Sequence, residues 1–175
     1  MSDFDIVIIG SGPGGYVCAI RAAQLGLSVC CVEKSETLGG TCLNVGCIPS
    51  KSLLHTSYLY KQTKDLNKIG ITVSDVQIDI KKMINSKDES VTGLTDGVKF
   101  LFKKNKIVHK KGFGRIVNSN EIEVLSDNNS EIIKAKNIVI ATGSEVSTPK
   151  DILLDEIDLS CLLYTSDAAD DGLSV

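Results

Sequence analysis

Ile6-Val7-Ile8-Ile9-Gly10-Ser11-Gly12-Pro13-Gly14-Gly15, preceded by Asp5, is the stretch whose reading decides the fold. Its β-branched apolar run stops at a glycine, as a short parallel strand buried on both faces does. Tyr16 to Leu25 then reads as a helix rich in small residues, with Gly26 as its C′ stop. Leu27 to Val32 reads as a second strand ending at Glu33. In this βαβ setting the spacing Gly10-x-Gly12-x-x-Gly15 has a mechanism. Gly10 permits the tight turn, Gly12 lets backbone approach a pyrophosphate, and Gly15 lets helix and strand pack closely. The helix start offers unpaired N–H groups and a positive dipole to that anion. Glu33, 18 residues after Gly15, stands where a carboxylate accepts hydrogen bonds from an adenosine ribose. The unit reads as a dinucleotide site.

The next segment, Gly39-Gly40-Thr41-Cys42-Leu43-Asn44-Val45-Gly46-Cys47-Ile48-Pro49-Ser50-Lys51, carries two thiols five positions apart. In a regular helix their Cα atoms would be about 8–9 Å apart. A disulfide wants roughly 4.4–6.8 Å, so a bonded pair requires a break, which Gly46 and Pro49 permit. A pair near a helix start would also have depressed thiolate pKa values, as dithiol–disulfide exchange needs. Zinc binding and plain burial are the competing readings. Zinc has no CxxC pair here and only His55 and His109 to draw on, so no metal is expected. Cys18, Cys30 and Cys31 read as core packing.

Farther along, Ser50 to Lys64 and Lys81 to Asn105 read as helices, the latter long and amphipathic, with a mixed stretch at Ile71 to Ile80 between them. Ile107 to Val117, Glu121 to Leu125 and Glu131 to Lys134 read as a small β-meander, and Asn137 to Ala141 as another buried strand closed by Thr142-Gly143-Ser144. The fold class is α/β, Rossmann-like, with an inserted helical segment. The 175 residues suit one domain, and 42% apolar content is ordinary for a packed core. A net charge of −3 gives no electrostatic reason to expect nucleic acid, and the basic stretch from Lys99 to Lys111 reads as a solvated face. No apolar run reaches the roughly 20 residues that span a bilayer, so no membrane partner is expected. Met1-Ser2-Asp3-Phe4 has neither a basic n-region nor an Arg-rich presequence, which places the chain in the cytoplasm as an expectation.

The glycine motif, Glu33, the segment from Gly40 to Lys51 and Ala141-Thr142-Gly143-Ser144 together resemble the flavoprotein disulfide reductases of the class I pyridine nucleotide-disulfide oxidoreductase family. The resemblance implies an FAD-binding domain over residues 1–150 that contains a redox-active disulfide. Gly10, Gly12 and Gly15 would hold the FAD pyrophosphate and Glu33 the adenosine ribose, with Gly14 and Lys34 also among the cofactor-binding residues. Gly39, Gly40, Thr41 and Cys42 would line the flavin side, and Lys51 would bring its ammonium near the flavin N5. Gly114 would touch the adenine by backbone, and Ala141, Thr142, Gly143 and Ser144 would close over the cofactor. Cys42 would exchange with a substrate dithiol, while Cys47 would lie against the flavin as a charge-transfer thiolate. Both cysteines are the implied catalytic residues. NAD would bind to a domain beyond this chain.

Cys42-Leu43-Asn44-Val45-Gly46-Cys47-Ile48-Pro49-Ser50-Lys51 looks like the member that oxidises dihydrolipoamide. Members that reduce glutathione disulfide or mercuric ion usually carry Val where Leu43 and Ile48 stand. The implied partners are the lipoyl-bearing component of 2-oxoacid dehydrogenase or glycine cleavage complexes, and a second copy of the full-length chain in a homodimer. The alternatives are a glutathione or mercuric reductase type and a non-functional FAD-binding fragment. The resemblance runs to about Ser160, with residues 151–160 as the start of a connection to the NAD-binding domain. Residues 161–175 instead resemble the translation of a transposon-type sequencing adapter and are expected to be non-native. The chain as written is expected to turn over no dihydrolipoamide and to bind FAD weakly at best.

Overall fold

The structure is a computed structural model that describes residues 2–126 and 129–145. The segments assigned above to the interdomain connection and to the adapter-like tail, 151–160 and 161–175, lie outside the described residues. The chain divides into two compact units, one running to Cys42 and resuming from Leu94 to Glu145, the other from Leu43 to Gly93.

The first unit begins with β1 (Phe4–Ile9), α1 (Pro13–Gln24) and β2 (Val29–Glu33). Strands β3 (Val108–Lys111), β4 (Phe113–Asn118), β5 (Glu121–Ser126) and β6 (Asn129–Ile140) complete a six-stranded sheet of order β3-β2-β1-β6-β5-β4. Strands β3, β2, β1 and the C-terminal half of β6 are parallel, with Val7 opposite Cys30 and Ile138. The N-terminal half of β6 pairs antiparallel with β5, and β5 with β4. This is the expected α/β class with its helices and small meander.

Two strand boundaries differ from the sequence reading. Ile107 to Val117 is not one strand, because Gly112 interrupts it at φ +151, where a Cβ would meet the Leu125 carbonyl oxygen at 2.6 Å. Residues before that point pair with β2, and residues after it turn over to pair with β5. Conversely, the strands read at Glu131–Lys134 and Asn137–Ala141 are one strand, β6, which changes partners near Ala135. The partial alternation from Ile71 to Ile80 forms no strand. Residues 71–79 have no regular structure, and Val73, Val76 and Ile78 are exposed.

The core follows from strand alternation. Val7, Ile9, Cys30 and Val32 present one face to Ile122, Val124, Ile133 and Ala135 of the meander. Ile8 and Cys31 are fully buried on the other face, where α1 supplies the buried Ala19 and Ala22. Each fully buried Val or Ile contributes about 1.5–3 kcal/mol relative to exposure. Burial pushes the Cys30 and Cys31 thiols up to about 12, in keeping with their reading as core residues. The basic stretch is a solvated face tied by ion pairs, Lys110 to Glu131 at 2.8 Å and Lys111 to Glu36.

The second unit is helical. It holds α3 (Cys47–Asp65), a 3₁₀ turn at Leu66–Ile69, and the part of α4 (Ile80–Lys104) that precedes Leu94. The short α2 (Gly40–Asn44) precedes α3.

Candidate nucleotide site and redox disulfide

The glycine loop is held at several points. The Gly10 N–H donates to the Val32 carbonyl at 2.8 Å, extending the β1–β2 ladder by one residue. The Ala141 N–H donates to the Ile9 carbonyl at 2.8 Å, so the residue just past the last parallel strand is fixed beside the loop. Cys31 Sγ donates to the Gly10 carbonyl at 3.6 Å. Gly39 donates its N–H to the Ser11 carbonyl at 3.0 Å. Gly40 follows so closely that a Cβ on it would stand 2.6 Å from Gly12 Cα. The segment carrying Thr41 and Cys42 is thereby seated against the loop.

Helix α1 starts with Gly12 at its N-cap and Pro13 at N1, with no side-chain cap. Its first-turn amides are therefore offered to whatever lies at the helix start. Among the described residues, nothing comes within 4 Å of where a Gly14 Cβ would stand. An open, uncapped helix start suits a pyrophosphate.

Glu33 lies at the end of β2, only 6% exposed. Its Oε2 accepts from the Ser11 N–H at 2.8 Å and from Ser11 Oγ at 2.7 Å, while Oε1 accepts from the Ser35 N–H at 2.8 Å. Burial pushes its pKa up, but the donors at Ser11 and Ser35 outweigh burial and hold it below the ordinary glutamate value. Glu33 is thus an ionised acceptor in fixed orientation. The open helix start and this acceptor together fit the adenosine diphosphate portion of FAD. Sequence reasoning missed Ser11 and Ser35, although a hydroxyl residue inside the glycine motif was the available signal.

Cys42 and Cys47 are joined in a disulfide. Cys42 lies in α2, Cys47 is the first residue of α3, and the helical path breaks at Val45-Gly46 between them. This is the departure from a regular helix that a bonded pair at this spacing requires. Pro49 falls in the first turn of α3, where its missing N–H costs no helical hydrogen bond. Among the described residues, no group of three side chains is arranged to hold a metal ion.

The remaining candidates are placed as follows. Lys34 is exposed and pairs with Glu145 at 3.3 Å, just past the Thr142-Gly143-Ser144 segment. Thr142, Gly143 and Ser144 are exposed after β6. Lys51 is exposed in α3, four residues after Cys47. Gly114 lies on β4 over the parallel sheet, where a Cβ would meet Ile9 Cγ2 at 3.0 Å and Val32 Cγ1 at 3.3 Å.

The pyridine nucleotide-disulphide oxidoreductase family matches residues 4–170. The chain belongs to that family. Among solved structures, this chain is similar to an HOCl-induced flavoprotein disulfide reductase from Escherichia coli, solved as a Cu(II) complex. The TM-score is 0.71 at 28% identity, covering 86% of this chain and 31% of that one. It is 54% identical over 154 residues to a mitochondrial dihydrolipoyl dehydrogenase from Dictyostelium discoideum, covering 87% of this chain and 32% of the relative. The Homo sapiens and Arabidopsis thaliana enzymes of the same description are each 51% identical and are covered to 31% and 30%. The chain thus spans about a third of the curated relatives it matches.

The expectation of a cytoplasmic location is overturned by these relatives, which are named as mitochondrial. That expectation rested on the absence of a leader before Met1, and such an absence carries no information about location.

Proposed function

We propose that this chain is the FAD-binding, disulfide-bearing part of a dihydrolipoyl dehydrogenase, an enzyme that oxidises protein-bound dihydrolipoamide and reduces NAD⁺. The observation that carries this reading is the Cys42–Cys47 disulfide at the α2–α3 break. Its surrounding sequence, with Leu43, Ile48 and Ser50, matches the dihydrolipoamide-oxidising type.

The exchange at the cysteines needs no outside oxidant, and the two substrate thiol protons are given up to solvent. A thiolate of dihydrolipoamide attacks Cys42 Sγ, the Cys42–Cys47 bond breaks, and Cys47 leaves as a thiolate. The second substrate thiolate then attacks the substrate sulfur bound to Cys42, that bond breaks, and Cys42 leaves as a second thiolate. Lipoamide departs with its own disulfide closed, and the cysteine pair retains the two electrons. Cys47 at the first position of the 19-residue α3 is suited to leaving, because the helix dipole stabilises a thiolate there. When bound, FAD supplies the hydride chemistry that moves the electron pair from the cysteines to NAD⁺. Gly10, Gly12, Gly14 and Gly15 would hold its pyrophosphate and Glu33 its ribose. Gly40, Thr41, Lys51 and Thr142 to Ser144 would face the flavin. NAD⁺ would bind outside this chain, so the 175 residues alone are expected to give no turnover.

By the same reading the partners are the lipoyl-bearing component of a 2-oxoacid dehydrogenase or glycine cleavage complex and a second copy of the full-length chain, in mitochondria. The test is NADH oxidation by the full-length protein with lipoamide, glutathione disulfide or mercuric ion as acceptor. Turnover confined to lipoamide is expected. A comparable rate with glutathione disulfide would overturn the substrate assignment.

A further inference from the structure

We infer that Ser11 is a positioning residue for adenosine recognition: its hydroxyl and its amide grip the same oxygen of Glu33, tying the pyrophosphate turn to the ribose acceptor. The inference rests on the reading that this βαβ unit holds FAD.

Ser11 is fully buried and Glu33 nearly so. Two donors from one residue converge on Oε2, at 2.7 and 2.8 Å. The Ser35 N–H fixes Oε1 at 2.8 Å, so rotation of the carboxylate would break a bond at either end. The turn itself needs no hydroxyl, because its geometry is carried by the flanking glycines and the Gly10 and Gly39 backbone bonds. The Ser11 Oγ–H therefore serves Glu33. A carboxylate has about four acceptor positions; these bonds take three, and the one left on Oε1 is already oriented for a ribose hydroxyl. Loop and acceptor then move as one body, and displacement of either is felt by the other.

Among the described residues, other titratable or charged groups near Glu33 are few. Cys31 lies on its own strand and is held protonated by burial. On β3, His109 feels the Glu33 charge, and Lys111 stands opposite Glu33 in the ladder but is ion-paired with Glu36. Lys34, next in sequence, is paired with Glu145. Burial pushes the His109 pKa down, with Glu33 pulling it up and Lys99 pushing it down, so His109→Gln is the control for its contribution to any acid limb.

The experiment uses the full-length flavoprotein, stripped of FAD and rebound between about pH 4 and 8. Ser11→Ala and Ser11→Gly both keep the amide donor and remove the hydroxyl. About tenfold weaker FAD binding at neutral pH is expected from the loss of one charge-assisted hydrogen bond. The acid limb of the affinity should move up by about one pH unit, because the weakened acceptor protonates more readily. In a Glu33→Gln background, Ser11→Ala should have little further effect. A merely structural role for Ser11 would change affinity without moving the acid limb. Equal affinity and an unmoved limb in both variants would overturn the inference. If the wild type binds no FAD, or neither variant folds by circular dichroism, the Glu33 carboxyl titration decides. It is read on wild type by infrared difference against Glu33→Gln, and a value at or above the ordinary glutamate range overturns the inference.

Discussion

The Gly10 carbonyl oxygen stands 1.9 Å from the position a Cβ on Gly15 would occupy. No side chain fits between them, so the start of α1 is seated directly on the turn that follows β1. Gly15→Ala must push helix and loop apart. A loss of about 1–3 kcal/mol or more is expected, as for other overpacked sites, together with loss of retained flavin. Thermal denaturation and the flavin absorbance of the purified full-length variant check both.

Gly14, one residue earlier, is the contrasting case, with no neighbour within 4 Å of its Cβ position among the described residues. Gly14→Ala should fold as the wild type does and gain roughly 0.5–1 kcal/mol from helix propensity, measured without FAD. A marked drop in the apoprotein's Tm would contradict an open helix start.

Cys42 and Cys47 carry the proposed exchange, and neither can be replaced by a hydroxyl. Cys42→Ser and Cys47→Ser in the full-length protein should each lower lipoamide-dependent turnover by roughly three orders of magnitude or more. Both should keep bound FAD, because the glycine loop and Glu33 are untouched. A variant that retains a tenth of wild-type kcat would remove that cysteine from the mechanism.

Cys30 and Cys31 should behave in the opposite way. Buried and held protonated with pKa values of about 12, they should resist iodoacetamide at pH 8 in the folded protein. They should react only after denaturation. Peptide mass spectrometry before and after unfolding distinguishes them from the reduced Cys42 and Cys47.

Glu33 gives a signed dependence of stability on pH. Its folded pKa lies below the ordinary value, so its contribution is complete above the unfolded pKa of about 4.3 and disappears as pH falls through the folded value. The Tm gap between wild type and Glu33→Gln should be largest near neutrality and narrow below about pH 4. A gap that widens on acidification would contradict the hydrogen-bonded, ionised carboxylate.

The first βαβ unit was legible because each of its parts is a local signal. The apolar run from Ile6 to Ile9, the glycine spacing and the acid closing the next strand need no distant partner to be read. The cysteine pair was legible for a similar reason, since a bonded pair at five-residue spacing requires a break in the helix and Gly46 permits the one that separates α2 from α3. The meander was harder. Gly112 ends a strand by its backbone angle and its fit against Leu125, and neither is visible in a run of apolar and basic residues. β6 stayed divided in the sequence because Lys134-Ala135-Lys136-Asn137 breaks both the alternation of its first half and the apolar run of its second. The bond from Ser11 to Glu33 joins positions 22 apart, and a motif-by-motif reading does not connect them.

The exchange of partners within β6 also bears on how the chain is made. β1 leaves the ribosome before the other described strands, yet one of its two neighbours is the last of them, and the Lys136–Asp5 bond spans 131 positions. At about 5–20 residues per second, that gap holds one edge of β1 open for on the order of ten seconds of synthesis. Ile6, Val7, Ile8 and Ile9 form an apolar, β-branched segment of the kind that pairs with other chains when exposed. Early pairing with β2 covers only the opposite edge of β1, so the edge reserved for β6 stays available to other chains until the closing strand arrives.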